Sequence, residues 1–194
     1  MQPDVNEASD SQLIKAYCNG DEGAFNTLYY RYRKLLYGYL TNMIPGNPCD
    51  VDEVFESTWL RVIDKLPKYR DDGKFGAWLF RVARNIFIDR VRMSKPGKFV
   101  TIDAEDSPDI AGSTELSPDR VTGSSDLAQV IQKALSQLPD EQREVFLLRE
   151  QDLSFKEIAD MQRCSLNTVL SRMRYALKSL RSFLSEIDRG GLVK

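Results

Sequence analysis

The sequence contains no histidine and only three cysteines, at positions 18, 49 and 164, with no Cys-x-x-Cys pair among them. Zinc sites are usually built from histidine and closely spaced cysteine, so their sequence patterns are absent. Catalysis that uses histidine as an acid or base is excluded as well. An odd number of scattered thiols is typical of a reducing cytoplasm rather than of a disulfide framework. We therefore expect no metal, no cofactor and no catalytic residues.

Long apolar runs are also missing. No segment approaches the roughly 20 apolar residues that a membrane span requires. The stretch from Met1 to Gln12 is polar and acidic, unlike a signal peptide. The hydrophobic fraction of 42% is nevertheless ordinary for a globular chain of 194 residues. We expect a cytoplasmic protein without membrane insertion.

Helical periodicity is the only regular pattern, because no stretch alternates apolar and polar residues as a strand does. The predicted helices run over Ser9–Tyr17, Asp21–Met43, Asp50–Leu66, about Phe75–Met93, Asp126–Leu138, Pro139–Gln151, Ser154–Met161 and Ser165–Ile187. Capping-box spacing marks the starts at Ser9 and Ser154. The inward stripes of the second and third helices include Leu35 and Ile63. The pattern predicts an all-α fold.

Residues 94–125 differ in composition from the rest of the chain. They contain Pro96, Pro108 and Pro118, several glycines and serines, and an acidic middle. Too few apolar residues are present to build a core, so this segment is predicted to be a flexible linker. It separates two predicted helical domains, residues 1–93 and 126–194.

Two helices near the C-terminus have the spacing of a helix-turn-helix. The helix opened by Ser154, a connection at Gln162–Cys164 and a helix capped by Ser165 follow one another. The outward face of the last helix and its flanks carry Asn167, Thr168, Leu170, Ser171, Arg172, Arg174, Tyr175 and Lys178. Asn, Ser and Arg supply the donors and acceptors that base edges and phosphates need. A solvated surface helix would carry similar charges, and the helix-turn-helix spacing favours DNA.

A second basic segment covers Trp78 to Arg92. Its polar face and neighbours are Arg81, Arg84, Asn85, Ile88, Arg90 and Arg92. The net charge of the chain is −2, which argues against bulk attraction to DNA and makes this local concentration informative. Aromatic residues beside basic ones suit single-stranded nucleic acid. The alternative, which we favour for Trp78 and Phe87, is that these rings belong to the core.

Asp50, Asp52, Glu53 and Glu56 form an acidic cluster at a predicted helix start. Such a cluster is compatible with a metal-dependent nuclease. Helix capping, favourable placement at the positive helix end and a protein-binding face explain it better.

At these residues the chain resembles the extracytoplasmic-function group of the sigma-70 family. Residues 50–61, DVDEVFESTWLR, are similar to the family's DAEDLVQETFLR helix. Residues 75–85, FGAWLFRVARN, are similar to FRTWLYRIARN. Residues 138–149, 153–159 and 165–172 resemble the family's C-terminal domain. A helix-turn-helix alone is a weak signal, whereas these motifs in this order, separated by a linker, are specific.

The resemblance implies two small helical domains, a region 2-like bundle and a region 4-like helix-turn-helix domain, joined by the flexible linker. It implies a non-enzymatic transcription-initiation factor that binds core RNA polymerase, through its largest-subunit clamp helices and flap, and helps to melt promoter DNA. The acidic linker would lie in the RNA-exit and active-site channel. An anti-sigma protein is a further candidate partner that the sequence does not identify.

The resemblance also assigns residues to each partner. The polymerase-binding residues would be Asp52, Glu53, Glu56, Ser57 and Leu60. The minus-ten element would be bound by Arg81, Arg84, Asn85, Ile88, Arg90 and Arg92, with Asn85 and the loop just after it beside a flipped-out base. The minus-thirty-five element would contact Asn167, Thr168, Leu170, Ser171, Arg172, Arg174, Tyr175 and Lys178, where Arg172 serves either phosphate binding or packing.

Several positions depart from the family pattern. Glu56 and Ser57 replace a usual Gln and acid, and Leu170 replaces a common Lys or Arg. Arg163 stands where Gly often makes the helix-turn-helix turn, a position whose backbone suits Arg less well. The rival interpretations are a conventional helix-turn-helix regulator that binds duplex DNA tightly without polymerase, a small nuclease, and a protein-binding adaptor.

Overall fold

The computed structural model describes residues 8–44, 48–70, 72–94 and 124–189. These ranges contain helices and no strand, which confirms the all-α prediction. The helices are α1 (Asp10–Cys18), α2 (Glu22–Met43), α3 (Pro48–Lys65), α4 (Phe75–Ser94), α5 (Ser124–Ser136), α6 (Asp140–Arg149), α7 (Phe155–Gln162) and α8 (Leu166–Arg189). A 3-10 turn, Leu66–Lys68, follows α3. Across the same ranges, no helix combines the length and apolar character needed to cross a membrane.

Side-chain caps determine where several helices begin. In α1 the Ser9 hydroxyl accepts from the N–H of Gln12, and in α7 the Ser154 hydroxyl accepts from the N–H of Glu157. Both form complete capping boxes, because the Gln12 and Glu157 side chains accept from the serine N–H groups in return. Asp21 caps α2 by accepting from two N–H groups of its first turn. These three starts confirm the sequence prediction.

Several helix boundaries differ from the prediction by one or two residues. The third helix begins at Pro48 rather than at Asp50. Proline is well suited to the first helical position, since the N–H that it lacks would have no partner there. The helices α4 and α5 extend to Ser94 and from Ser124, slightly into the predicted linker. The rest of that linker, residues 95–123, lies outside the described residues, as does its predicted path through the polymerase.

The helices α1 to α4 form a bundle in which α1 packs on α2, and α3 packs on both α2 and α4. Leu28, Leu36 and Leu40 of α2 are completely buried, as the three- and four-residue spacing predicts. Trp59 of α3 is buried at the centre of an aromatic group, with its ring centroid 4.9 Å from that of Tyr29. Trp78 packs 4.6 Å from Tyr69, which agrees with its prediction as a structural residue.

Leu35 and Ile63 were predicted to face inward, and both predictions were wrong: the two side chains are 42% and 39% exposed. Each lies next to another apolar residue, Leu36 or Val62, which is completely buried. Consecutive helical residues point about 100° apart, so only one member of each pair occupies the core.

The helices α5, α6 and α7 pack against α8. Leu148, Ile158, Val169 and Ala176 are buried there, and Met173 and Leu180 are half-buried on the same side of α8. The two halves also touch, because α2 contacts both α5 and α6. The buried apolar residues therefore form one connected cluster that runs from α1 to α8.

Candidate nucleic-acid and polymerase interfaces

The turn between α7 and α8 is made by Arg163, whose backbone adopts the left-handed conformation with φ 53° and ψ 44°. Its N–H donates to the carbonyl of Ala159, which closes the last turn of α7. The next helix is capped by Ser165, whose hydroxyl accepts from the N–H of Thr168 at 3.1 Å. The short capped helix, tight turn and long capped helix confirm the helix-turn-helix prediction and the departure at Arg163.

The outer face of α8 carries the residues predicted to read DNA. Exposed on it are Asn167, Leu170, Arg174, Tyr175 and Lys178, while Thr168, Ser171 and Arg172 are half-buried. Arg172 donates through Nη1 to Oε1 of Gln162 at 2.8 Å and lies 3.5 Å from the Cys164 sulfur. Arg172 is therefore in contact with protein groups next to the turn.

The polar face of α4 divides into two groups. Arg81, Asn85 and Arg92 are exposed, and Ile88 is half-buried. Arg84 and Arg90 instead contact carboxylates: Arg84 binds Glu144 of α6, and Arg90 binds Asp50 and Glu53 of α3. Only the first group leaves its donors open to a nucleic acid.

The predicted loop after Asn85 is absent, because α4 continues from Asn85 to Ser94 without a break. Asn85 lies in the middle of a helix whose preceding residues, Leu79, Val82 and Ala83, are buried. No proline or glycine follows Asn85 before Ser94 to interrupt the hydrogen-bonding pattern. The side chain thus stands on a regular helical surface rather than beside a loop.

The acidic cluster at the start of α3 is engaged by protein groups. Asp50 and Glu53 contact the Arg90 guanidinium, and Asp52 accepts from the Tyr37 hydroxyl at 2.9 Å. That hydrogen bond to Asp52, together with partial desolvation, raises the pKa of Tyr37. Two of the four carboxylates thus form ion pairs with Arg90 that join α3 to α4. These contacts favour a structural interpretation of the cluster.

The outer face of α3 is largely open to solvent. Asp52, Glu53, Glu56, Ser57 and Leu60 are all exposed, and the Leu60 side chain is 68% exposed. Val54, Thr58 and Val62 on the opposite side of the helix are buried. The helix therefore presents one exposed leucine surrounded by exposed carboxylates on the side away from the core.

Comparison with known proteins identifies the two halves. The family model for sigma-70 region 2 matches residues 28–96, and the model for sigma-70 region 4 matches residues 128–180. The chain belongs to the sigma-70 family. It is therefore a sigma factor, a promoter-specific transcription-initiation protein whose partners are core RNA polymerase and promoter DNA.

Three curated relatives of this sigma factor are each named as an ECF RNA polymerase sigma factor. It is 28% identical over 189 residues to the ECF RNA polymerase sigma-E factors of Salmonella typhimurium and Escherichia coli, a match that spans 94% of this chain and 98% of each relative. It is also 28% identical over 186 residues to the ECF RNA polymerase sigma factor SigW of Bacillus subtilis, across 90% of this chain and 96% of SigW. The sigma factor is a member of the extracytoplasmic-function group.

Solved structures agree with this fold. The sigma factor superposes on CnrH, in complex with the cytosolic domain of CnrY, with a TM-score of 0.63 and 23% identity over 94% of this chain and 99% of CnrH. It superposes on RpoE from Bartonella quintana, in complex with the anti-sigma factor NepR, with a TM-score of 0.60 and 21% identity over 83% of this chain and 96% of RpoE.

Sequence reasoning missed two groups of residues in this sigma factor. Tyr37 is an exposed residue of α2 that donates its hydroxyl to Asp52 of α3, and no sequence motif marked it. Glu144 of α6, which accepts from Arg84 of α4 and from the hydroxyl of Tyr39 of α2, is a buried polar group, and Tyr39 is buried as well. The only hint of these contacts in the sequence was that Glu144 and Gln162 stand in otherwise apolar helical stripes.

Proposed function

We propose that this sigma factor acts in the cytoplasm by binding alone, without catalysis, and that three of its surfaces bind three different targets. The outer face of α3 docks on core polymerase, the exposed face of α4 captures the minus-ten element, and the outer face of α8 reads the minus-thirty-five element. The proposed domain limits are residues 1–93 and 126–194, with residues 94–125 as the linker. The single observation that carries this proposal is that each of these faces stands open on a helix whose opposite side is buried.

The α3 face supports polymerase binding because its exposed residues are acidic around one leucine. Glu56 and Ser57 leave the usual pattern of this helix, yet both are exposed on the same side as Leu60. Burying a largely exposed leucine against a partner is favourable by roughly 1.5–3 kcal/mol. The neighbouring carboxylates would then select a partner surface with basic residues.

The two DNA-binding faces differ in chemistry, which suits their two targets. Arg81, Asn85 and Arg92 on α4 combine cations with an amide, as captured single strands require. On α8, Asn167 and Arg174 can pair with base edges in a major groove, and the exposed Leu170 suits a thymine methyl. Melting would follow from capture of unpaired bases, which offsets a few kcal/mol of unstacking.

An anti-sigma protein is also proposed as a partner. CnrH and the Bartonella RpoE, which share the fold of this chain, are each held in a complex, RpoE with an anti-sigma factor. The exposed apolar side chains of α8, among them Leu166, Leu170 and Leu184, would be available to such a protein.

The proposal is tested by run-off transcription from genomic fragments with bacterial core polymerase. The full chain should direct new start sites, and Leu60→Asp should abolish them together with capture of the chain by core polymerase. Leu35→Asp, the same change at an exposed leucine of α2, serves as the matched control and should retain both activities. Tight, sequence-specific binding of duplex DNA by the chain alone, with no effect on core polymerase, would contradict the proposal.

A further inference from the structure

One carboxylate joins the two halves of the molecule. Glu144 of α6 accepts through Oε1 from Nε of Arg84 at 2.8 Å and from the Tyr39 hydroxyl at 3.0 Å. Arg84 and Tyr39 belong to α4 and α2, whereas Glu144 belongs to α6. The side chains of Arg84 and Glu144 are only 12% and 5% exposed, so this ion pair is buried between the halves.

The contact continues into the helix-turn-helix. The second oxygen of Glu144, Oε2, accepts from Nε2 of Gln162 at 2.8 Å, and Oε1 of Gln162 accepts from Nη1 of Arg172 at 2.8 Å. An unbroken chain of hydrogen bonds therefore runs from Arg84 through Glu144 and Gln162 to Arg172. It connects the two helices, α4 and α8, that we propose to bind DNA.

Other contacts hold the halves in the same arrangement. The Tyr39 ring is buried with its centroid 5.3 Å from that of Phe80. Burial and the adjacent Glu144 carboxylate raise the pKa of Tyr39 well above its usual value, so its hydroxyl stays protonated and donates. At the edge, Nζ of Lys74 lies 3.7 Å from Oε1 of Glu157, and this partly exposed, long ion pair adds little.

We propose that the free sigma factor closes on itself, with Glu144 occupying the place of a promoter phosphate on Arg84. Carboxylate and phosphate oxygens present similar acceptors to a guanidinium, so the two bind Arg84 competitively. The closed state must therefore open before Arg84 can contact the minus-ten strands. This inference rests on the proposed capture of the minus-ten element by α4, the helix that carries Arg84.

Glu144 is the residue that stabilises the closed state. Without its charge, Arg84 would be a buried cation with no counter-charge, which is strongly unfavourable, and opening returns Arg84 to water. Glu144 itself stands on none of the proposed binding faces. Its neutralisation should thus shift the population toward the open state without removing a DNA or polymerase contact.

The first test compares Glu144→Gln with wild type in small-angle X-ray scattering of the full chain. The variant keeps the size and the acceptor oxygen of the side chain and should show a larger radius of gyration. It should also bind a labelled single strand carrying a minus-ten sequence about three- to tenfold more tightly, because the competent fraction rises. Glu150→Gln, the same substitution at an exposed position just after α6, should match wild type in both measurements.

A charge reversal tests the pair directly. Arg84→Glu should expand the chain, and adding Glu144→Arg should restore the compact radius, whereas a merely unfolded Glu144 variant could not be rescued this way. An unchanged radius in Glu144→Gln and Arg84→Glu would overturn the inference. If the wild-type chain directed no promoter-specific run-off transcription, the proposed function would be overturned instead. The scattering result does not depend on that outcome.

Discussion

Arg90 Nη2 lies 2.7 Å from Oδ1 of Asp50, so the C-terminal half of α4 is tied to the first turn of α3. The same guanidinium contacts Glu53. The helix proposed to capture DNA is thus fixed to the helix proposed to dock on polymerase. Both side chains of the Arg90–Asp50 pair are 39% exposed, so water screens the attraction.

We expect Asp50→Ala to lower the free energy of unfolding by at most about 1 kcal/mol, because it removes one partly exposed ion pair. Arg90→Ala should lower it somewhat more, because it also removes the contact with Glu53. Urea denaturation measures this. Arg92→Ala, an exposed neighbour, should leave stability unchanged and reduce open-complex formation. If Arg90→Ala alone lowered the free energy of unfolding by more than about 3 kcal/mol, the contribution of these ion pairs would not be small.

Arg174→Ala should weaken recognition of the minus-thirty-five element by about 1–3 kcal/mol, since a bidentate contact to a base edge would be lost. Transcription from promoters with altered upstream elements measures the effect. Arg181→Ala, on the same helix two turns further on, is the matched control and should lower all promoters equally if it acts at all. Equal transcription from all promoters with Arg174→Ala would count against a base contact.

Asn85→Ala should reduce open-complex formation more than closed-complex binding. Its side chain is exposed on α4, where an amide would pair with an unstacked base. Permanganate footprinting of thymines in the melted region measures opening, and gel retardation measures binding. Asn26→Ala, an exposed asparagine of α2, should change neither; a parallel loss of both signals for Asn85→Ala would indicate a role in initial binding instead.

Arg163→Gly should raise the free energy of unfolding by about 0.5–1 kcal/mol. Glycine removes the strain of the left-handed backbone at the end of α7, but its larger conformational entropy in the unfolded chain offsets part of that stabilisation. Asp152 has a similar φ of 60°. Asp152→Gly should gain less, since aspartate tolerates this conformation better than arginine does. Thermal unfolding of both variants checks the order, which would be reversed if strain at Arg163 were absent.

The α7 capping box should weaken in acid. Partial burial acts to raise the pKa of Glu157, but hydrogen bonds from the Ser154 hydroxyl and N–H, with Lys74 nearby, outweigh it and lower the pKa below its usual 4.5. A lowered folded-state pKa contributes stability above pH 4.5, and that stability is lost as the pH falls through the folded value. Glu157→Gln should therefore flatten the decline of stability below pH 4.5, and Glu150→Gln should not.

Local chemistry made much of this fold predictable from the sequence. Serine-led capping boxes, proline positions and three- and four-residue stripes determine where helices begin and which side is buried. Where two apolar residues are adjacent, as at Leu35–Leu36 and Val62–Ile63, the phase of the stripe is ambiguous, and the prediction failed. The family resemblance placed Asn85 next to a loop, whereas the apolar periodicity predicted a helix to about Met93, and the structure agrees with the periodicity.

The contacts between helices could not be predicted in the same way. Arg84 and Glu144 are 60 positions apart, and nothing in either local pattern specifies that they meet. The motif around Arg84 indicated a basic face, but the presence of a carboxylate against it depends on how the two halves pack. The exposed residues of α3, α4 and α8 follow from helical geometry, and their proposed contacts with polymerase and promoter stay predictions.

The tryptophan fluorescence of the chain comes from its first half alone. Both of its tryptophans, Trp59 and Trp78, lie in α3 and α4, and each is in contact with other rings. Indole emission therefore reports on the N-terminal half alone, whereas far-UV circular dichroism sums over every helix. The fluorescence and circular dichroism curves will coincide during denaturation only if the two halves unfold as a single cooperative unit. A difference between the two curves would therefore show when the core that the halves share is lost.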